Sequence, residues 1–292
     1  MNVINLSNPN VSSHFKDEGY VVKRSVFSVG EIETFRERVH EQFELDKKSG
    51  LTHDVVTEHV NLHLARGCLL SKQNLFEILL DSRIIQFAQE LLESEKIIYW
   101  GDSSYQIGTG MRGFHRDSVH KVDFDGPDWK IPYSLIRIGL YLQDHSKHSG
   151  GLKVKPGTHV RENGSAVLVD TRPGDLVAWN LRLRHSGNAV KLKWLPFVSL
   201  NDPRLENGVP SFLKREQERE RMSLFMTFSS ESPHLYRYID EYQLKRKETI
   251  EALQASVWKK DVLALAEKRG LDVRVLLPEF QIAAEEAKKT AT

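Results

Sequence analysis

At 292 residues, 40% hydrophobic and 28% charged, the chain has an ordinary globular composition and enough length to enclose a small-molecule cavity. Its 41 Lys and Arg nearly cancel 40 Asp and Glu, so no global field selects nucleic acid or an acidic membrane. A single cysteine, Cys68, excludes a disulfide framework within the chain and any site built from several thiolates.

The first residues, MNVINLSNPNVSSHF, carry no basic stretch followed by an apolar run, so no secretory signal is expected. No apolar run approaches the roughly 20 residues that span a bilayer. A cytoplasmic protein with no membrane partner is the expectation. Residues 14–100 read as mainly helical, after a short strand at Gly19–Val22. Ser28 stands at an N-cap position with Glu31 three residues on, the capping-box spacing. Ile32, Phe35, Val39 and Phe43 then form one apolar stripe. A second helical segment spans about Gln73–Glu93, carrying Leu75, Leu79, Ile84, Phe87 and Leu91.

From Ile97 to Phe228 short β-rich runs alternate with turns, the pattern of an antiparallel sandwich or barrel. In Leu135–Leu142 the apolar residues Ile136, Ile138, Leu140 and Leu142 alternate with Arg137, Gly139 and Tyr141. Leu176–Trp179 reads as a further strand. In Arg221–Phe228, Met222, Leu224, Met226 and Phe228 share one face, opposite Arg221, Ser223, Phe225 and Thr227. From Ser230 the chain is helical again, with 11 basic and 11 acidic residues. Its apolar stripe of Ile250, Leu253 and Val257 must pack on the rest of the chain or on a second subunit, so a homo-oligomer is one expectation.

Of the 12 histidines, His115 alone is followed two residues later by an aspartate, Asp117. On a strand those side chains share a side and can converge on one ion. A third ligand from a neighbouring strand would complete a two-histidine, one-carboxylate triad, whose nitrogen and oxygen donors suit Fe(II) and leave one coordination face open. His185 follows a strand and precedes a polar turn, where a barrel mouth could collect it. His145, His148 and His159 compete for the place. Arg221 and Ser223, two apart, could grip a carboxylate through a planar guanidinium and a hydroxyl. Arg219, in the charged run KREQERER, competes with Arg221 for that role.

With these residues placed, the chain resembles the phytanoyl-CoA dioxygenase family of Fe(II)/2-oxoglutarate oxygenases over about residues 14–228. The resemblance rests on HFKDEGYVVKRSVFSVGEIETFRERV, FHRD, HSGGLKVKPGTH, PGDLVAWNLRLRHSGN and RMSLFMTF, in that order. It implies a mainly β fold with flanking helices: a double-stranded β-helix (jelly-roll, cupin-like) core, a helical N-terminal region and a helical C-terminal tail. The expected oxygenase domain covers residues 1–229, with helical support at 14–96, the β-helix at 97–229 and an insertion at 191–220. A helical extension covers 230–292.

The resemblance also implies that His115, Asp117 and His185 hold Fe(II), and that Arg221 and Ser223 clamp the cosubstrate 2-oxoglutarate. Gln106 or Tyr105 would touch cosubstrate or substrate. O2 would be the second cosubstrate, and a C–H bond of a small organic molecule the target, with succinate and CO2 released. Asp117, where halogenating relatives carry a small residue, argues for hydroxylation or a related oxidation. The insertion would form a loop or lid over the site, with Phe197 and Phe212 covering the substrate. Trp179, Asn180, Arg137, Tyr141 and Arg112 are further candidates to face the cavity. Competing readings are a cupin-like metalloenzyme without 2-oxoglutarate, a protein hydroxylase and a non-catalytic binding module.

Overall fold

Helical periodicity gives way to strand alternation near residue 97, yet strands from before that point join the larger sheet. A computed structural model describes residues 11–130, 132–195, 200–216 and 219–278. Helix α1 (Val11–Glu18) leads into β1 (Tyr20–Lys23) and then α2 (Val29–Lys48). Ser28 caps α2: its hydroxyl accepts from the Glu31 amide at 3.2 Å, and the Glu31 carboxylate accepts from the Ser28 amide at 2.8 Å. The buried stripe Ile32, Phe35 and Val39 faces the sheet.

Strands β2 (Thr52–Val56) and β3 (Asn61–Ala65) form a hairpin within the segment expected to be helical. Its strands carry His and Asp on exposed faces, which hides the period-2 signal, and β3 gains its stability by pairing with the sheet. The second helical segment divides into α3 (Phe76–Leu79) and α4 (Ser82–Leu92), because the Asp81 carboxylate accepts from the Arg83 amide and starts a new helix.

The β region comprises β4 (Ile97–Tyr99), β5 (Ser103–Thr109), β6 (Leu135–Tyr141), β7 (Gly151–Val154), β8 (Val167–Val169), β9 (Leu176–Asn180), β10 (His185–Ala189) and β11 (Met222–Ser229). After it come α5 (Pro233–Tyr238), α6 (Lys247–Gln254), α7 (Lys260–Lys268) and β12 (Leu271–Val273). The larger sheet runs β1-β9-β6-β11-β5-β3-β2, with β4 paired to β11 and β12 paired in parallel to β4. The smaller sheet runs β10-β7-β8.

Two facing sheets make the jelly roll, and alternation sorts their side chains. Ile136, Ile138, Leu140, Met222, Leu224, Met226 and Phe228 join the helix-facing core. Tyr141, Val177, Trp179 and Phe225 face the interior between the sheets and meet Leu152, Val154 and Val169. The C-terminal segment packs on this framework: Trp258, Val262, Ala266 and Leu271 enter the helix-facing core, and Leu235, Tyr238 and Ile239 form a smaller one with Ile98, Trp100 and Leu135.

Residues 191–216, as far as they are described, lie against the outer face of the smaller sheet. Lys153, between the inward Leu152 and Val154, donates to Glu206, whose carboxylate also accepts from the Val190 amide at 3.0 Å. Lys153 also donates to the Leu200 carbonyl at 2.9 Å. This anchoring on the outer face differs from the expected lid over the site. Phe212 is 65% exposed, and Phe197 lies outside the described residues.

Candidate metal centre

His115 and His185 pair at the edge of the smaller sheet, each donating its backbone N–H to the other's carbonyl at 3.0 Å. The Asp117 amide donates to the Leu181 carbonyl at 2.9 Å, which fixes the carboxylate two residues beyond His115 and on the same side. One donor atom from each of His115, Asp117 and His185 lies within 4.8 Å of the others. His115 Nε2 is 3.7 Å from Asp117 Oδ1, and His185 Nε2 is 3.5 Å from Oδ2.

Both rings are oriented from behind. His115 Nδ1 lies 3.0 Å from the Gly113 carbonyl, and His185 Nδ1 lies 3.0 Å from the Leu183 carbonyl. A carbonyl only accepts, so Nδ1 carries the proton and each Nε2 lone pair points to the shared centre. Burial pushes the His185 pKa down to about 4, so that ring is neutral at physiological pH. Burial works against charge on Asp117, but Arg137, then His185 and His115, outweigh it and hold its pKa at about 2. The site therefore offers a neutral His185 ring and an ionised carboxylate, with the His115 Nε2 facing the same point.

Arg137 was a candidate to face the cavity, and it does so as the partner of Asp117. Trp179 also faces inward, its ring centroid 5.3 Å from that of His185. The Asn180 side chain instead accepts from the Arg182 amide. Arg112 ties β10 to the segment that follows it, donating to the Asn188 carbonyl and to Asn207. The other candidate histidines lie apart: His145 contacts Gln143, His148 contacts the Glu216 carbonyl, and His159 contacts the Lys16 carbonyl.

At the opposite end of β11, Arg221 is buried and packs over the Tyr141 ring at 5.4 Å. Its Nε donates to the Gly150 carbonyl at 2.7 Å and Nη1 to the Gly108 carbonyl at 3.2 Å. Gly108 has a φ of +92°, and a Cβ there would lie 2.1 Å from the Asn61 carbonyl oxygen, so only glycine fits. Ser223 stands opposite both Gln106 and Tyr141 in the register, and its buried hydroxyl has no protein partner. Arg219 is on the surface, where it forms two bonds to Glu33. Tyr105 corrects the expectation: its hydroxyl donates to Asp46 at 2.7 Å and its ring joins the helix-facing core, because adjacent residues on a strand face opposite ways.

Three participants escaped sequence reasoning. Asp102 shares Arg137 with Asp117, and Tyr238 donates to Asp102 at 3.1 Å. Asn188, in β10 at a φ of +59°, has a buried side-chain oxygen with no protein partner. The one visible signal was a charged residue inside the otherwise apolar run LIRIGLYL, since a cation withdrawn from water in such a strand requires a partner.

A family model described as Phytanoyl-CoA dioxygenase (PhyH) matches residues 15–191, more than half of the chain. No curated protein matches it in sequence. Similar solved structures include the non-heme alpha ketoglutarate dependent epimerase SnoN from nogalamycin biosynthesis, at 13% identity and TM-score 0.54, covering 76% of this chain and 81% of that one. HygX from Streptomyces hygroscopicus with nickel and 2-oxoglutarate bound is 14% identical with TM-score 0.53, covering 76% and 87%. The carbocyclase SnoK from nogalamycin biosynthesis is 18% identical with TM-score 0.53, covering 80% and 91%. At such identities the likeness shows the fold, a jelly roll of mainly antiparallel strands with flanking helices. The family match shows more: the chain belongs to the phytanoyl-CoA dioxygenase (PhyH) family of oxidoreductases.

Proposed function

We propose that the protein is an Fe(II)- and 2-oxoglutarate-dependent dioxygenase that hydroxylates a C–H bond of a small organic molecule. His115, Asp117 and His185 are its iron ligands, and Arg221 with Ser223 binds the distal carboxylate of 2-oxoglutarate. The observation that carries the proposal is the convergence of three donor atoms, two from rings whose tautomer is set by backbone carbonyls. The donor set fits the metal: two nitrogens and an oxygen, with the sole thiol, Cys68, buried against the Trp258 indole. The unpartnered Ser223 hydroxyl beside a buried guanidinium fits the carboxylate.

When bound, iron and 2-oxoglutarate supply the oxidising chemistry with O2, releasing succinate and CO2. The chain's residues set the stage. Arg137 engages Asp117 Oδ2 and so fixes the orientation of the carboxylate that would hold the metal. Arg221 keeps its guanidinium plane fixed through two carbonyls. Trp179, Phe225 and Tyr141 form a continuous aromatic wall from His185 to Arg221, with ring centroids 6.0 and 5.8 Å apart. A small-molecule substrate is supported by the ligands of similar structures, nogalamycin RO in SnoN and hygromycin B in HygX.

The test is anaerobic addition of Fe(II), then 2-oxoglutarate. A weak visible charge-transfer band, lost in His115→Ala, is expected when both share one open coordination sphere. Iron binding without the band would replace this reading by a metalloenzyme that does not use 2-oxoglutarate. Failure to bind iron would overturn the metal site. Product analysis then separates hydroxylation from epimerisation or ring closure.

A further inference from the structure

On the outer face of the smaller sheet, one peptide layer behind the proposed iron ligands, lies a second concave site. Phe114 precedes His115, Arg184 precedes His185, and Lys155 follows the Val154 that pairs with His185, so alternation turns all three away from the interior. With Asn201, Asp202 and Arg204 from the segment after residue 191 they line a cavity of about 330 Å³. That volume is at the small end of known ligand pockets, which run from about 300 to 1,000 Å³.

The charges in this cavity are unbalanced. Its one carboxylate, Asp202, is committed to Arg204 at 2.7 Å and caps the turn at Pro203 through the Arg204 amide. Among the described residues neither Lys155 nor Arg184 has an ion-pair partner. Lys155 packs its ammonium over the Phe114 ring at 4.9 Å. Burial, then the Arg184 charge, lowers its pKa from the ordinary lysine value. Like charges held together in a concavity cost free energy unless an anion joins them.

We propose that this cavity binds an oxyanion, a phosphate or carboxylate group, between Lys155 and Arg184, with Asn201 as a further hydrogen-bond donor. The site shares no side chain with the iron centre, so its occupancy is measurable without metal.

The experiment is calorimetric titration of the full, metal-free chain with inorganic phosphate at low ionic strength. Binding is expected to weaken at least tenfold in both Lys155→Met and Arg184→Met and to fall as NaCl is raised. Asp202→Asn, which removes the one carboxylate among the described lining residues, is expected to tighten it severalfold. No phosphate binding by the wild type, or unchanged binding in folded Lys155→Met, overturns the proposal. A sugar phosphate compared with inorganic phosphate then identifies the source. At least tenfold tighter binding of the ester assigns the site to an organic anion, and equal binding assigns it to the free ion.

Discussion

Arg137 Nη1 donates to Asp117 Oδ2 at 2.8 Å while its Nη2 donates to Asp102 at 3.0 Å, so one half-buried guanidinium bridges two carboxylates. Its Nε donates to the Thr227 hydroxyl at 3.0 Å, which fixes the fork in the sheet. The arrangement holds the Asp117 carboxylate by one oxygen and leaves the other directed toward His115. Replacing Arg137 by Met would leave both carboxylates without their cation. We expect Fe(II) affinity to fall by about 10- to 100-fold, the usual cost of losing a partner that orients a ligand. Arg137→Lys, which keeps the charge and loses the fork, should recover part of it. Unchanged iron affinity in a folded Arg137→Met would show that Asp117 needs no such support.

Ser223 and Arg221 separate binding from folding. The Ser223 hydroxyl is buried without a protein partner, so Ser223→Ala removes no hydrogen bond and should leave the unfolding midpoint unchanged. The same variant should raise the 2-oxoglutarate concentration needed for half-saturation severalfold. Arg221→Ala should raise it at least 100-fold, because a charged pair is lost in a buried place. Arg219→Ala should leave it unaltered, since that side chain engages Glu33 on the surface. A 2-oxoglutarate titration of the visible band reads all three.

The C-terminal segment reaches the metal centre through polar contacts as well as apolar ones. Tyr238 donates to Asp102, and His234 and Arg237 approach Asp128 at 3.2 and 2.8 Å. Asp128 in turn accepts from the His120 amide in the loop that follows Asp117. Tyr238→Phe should cost about 0.5–1.5 kcal/mol of stability with less than a threefold change in iron affinity. Truncation after Ser229 would strip Trp258, Val262 and Leu271 from the core and leave β4 without its β12 partner. We expect that product to be insoluble, by assay of the soluble fraction and by circular dichroism.

What was legible in the sequence follows from what is local. The Ser28–Glu31 capping box and the alternation in β6 and β11 are short-range patterns with the expected local geometry, and the i, i+2 pair His115 and Asp117 converges although it lies outside any named strand. What was hidden depends on partners far along the chain. Lys153 lies in a strand that is buried throughout because Glu206 comes to meet it, 53 residues later. The β2–β3 hairpin and β12 are strands only because β5 and β4 offer them edges. The turning of Tyr105 toward Asp46 depended on which face of β5 met the helices, a matter of tertiary packing.

His145 gives the last prediction, on pH. It is buried, Gln143 Nε2 lies 2.7 Å from its Nε2, and its Nδ1 lies 3.0 Å from the Ser149 carbonyl. An amide nitrogen donates and a carbonyl accepts, so the ring is neutral with its proton on Nδ1. Burial, then the Arg221 charge, holds its pKa at about 3, well below the ordinary histidine value of 6.5. The unfolded chain therefore takes up a proton below pH 6.5 that the folded chain refuses. Stability from this residue is complete above pH 6.5 and is lost as pH falls toward 3, at about 1.4 kcal/mol per pH unit within that window. Urea unfolding of the metal-free protein at pH 7, 6 and 5 should show the decline, and His145→Asn should flatten it by that amount per unit. Equal slopes for the two proteins would mean that His145 accepts its proton in the folded state, against the buried, neutral ring described by its hydrogen bonds.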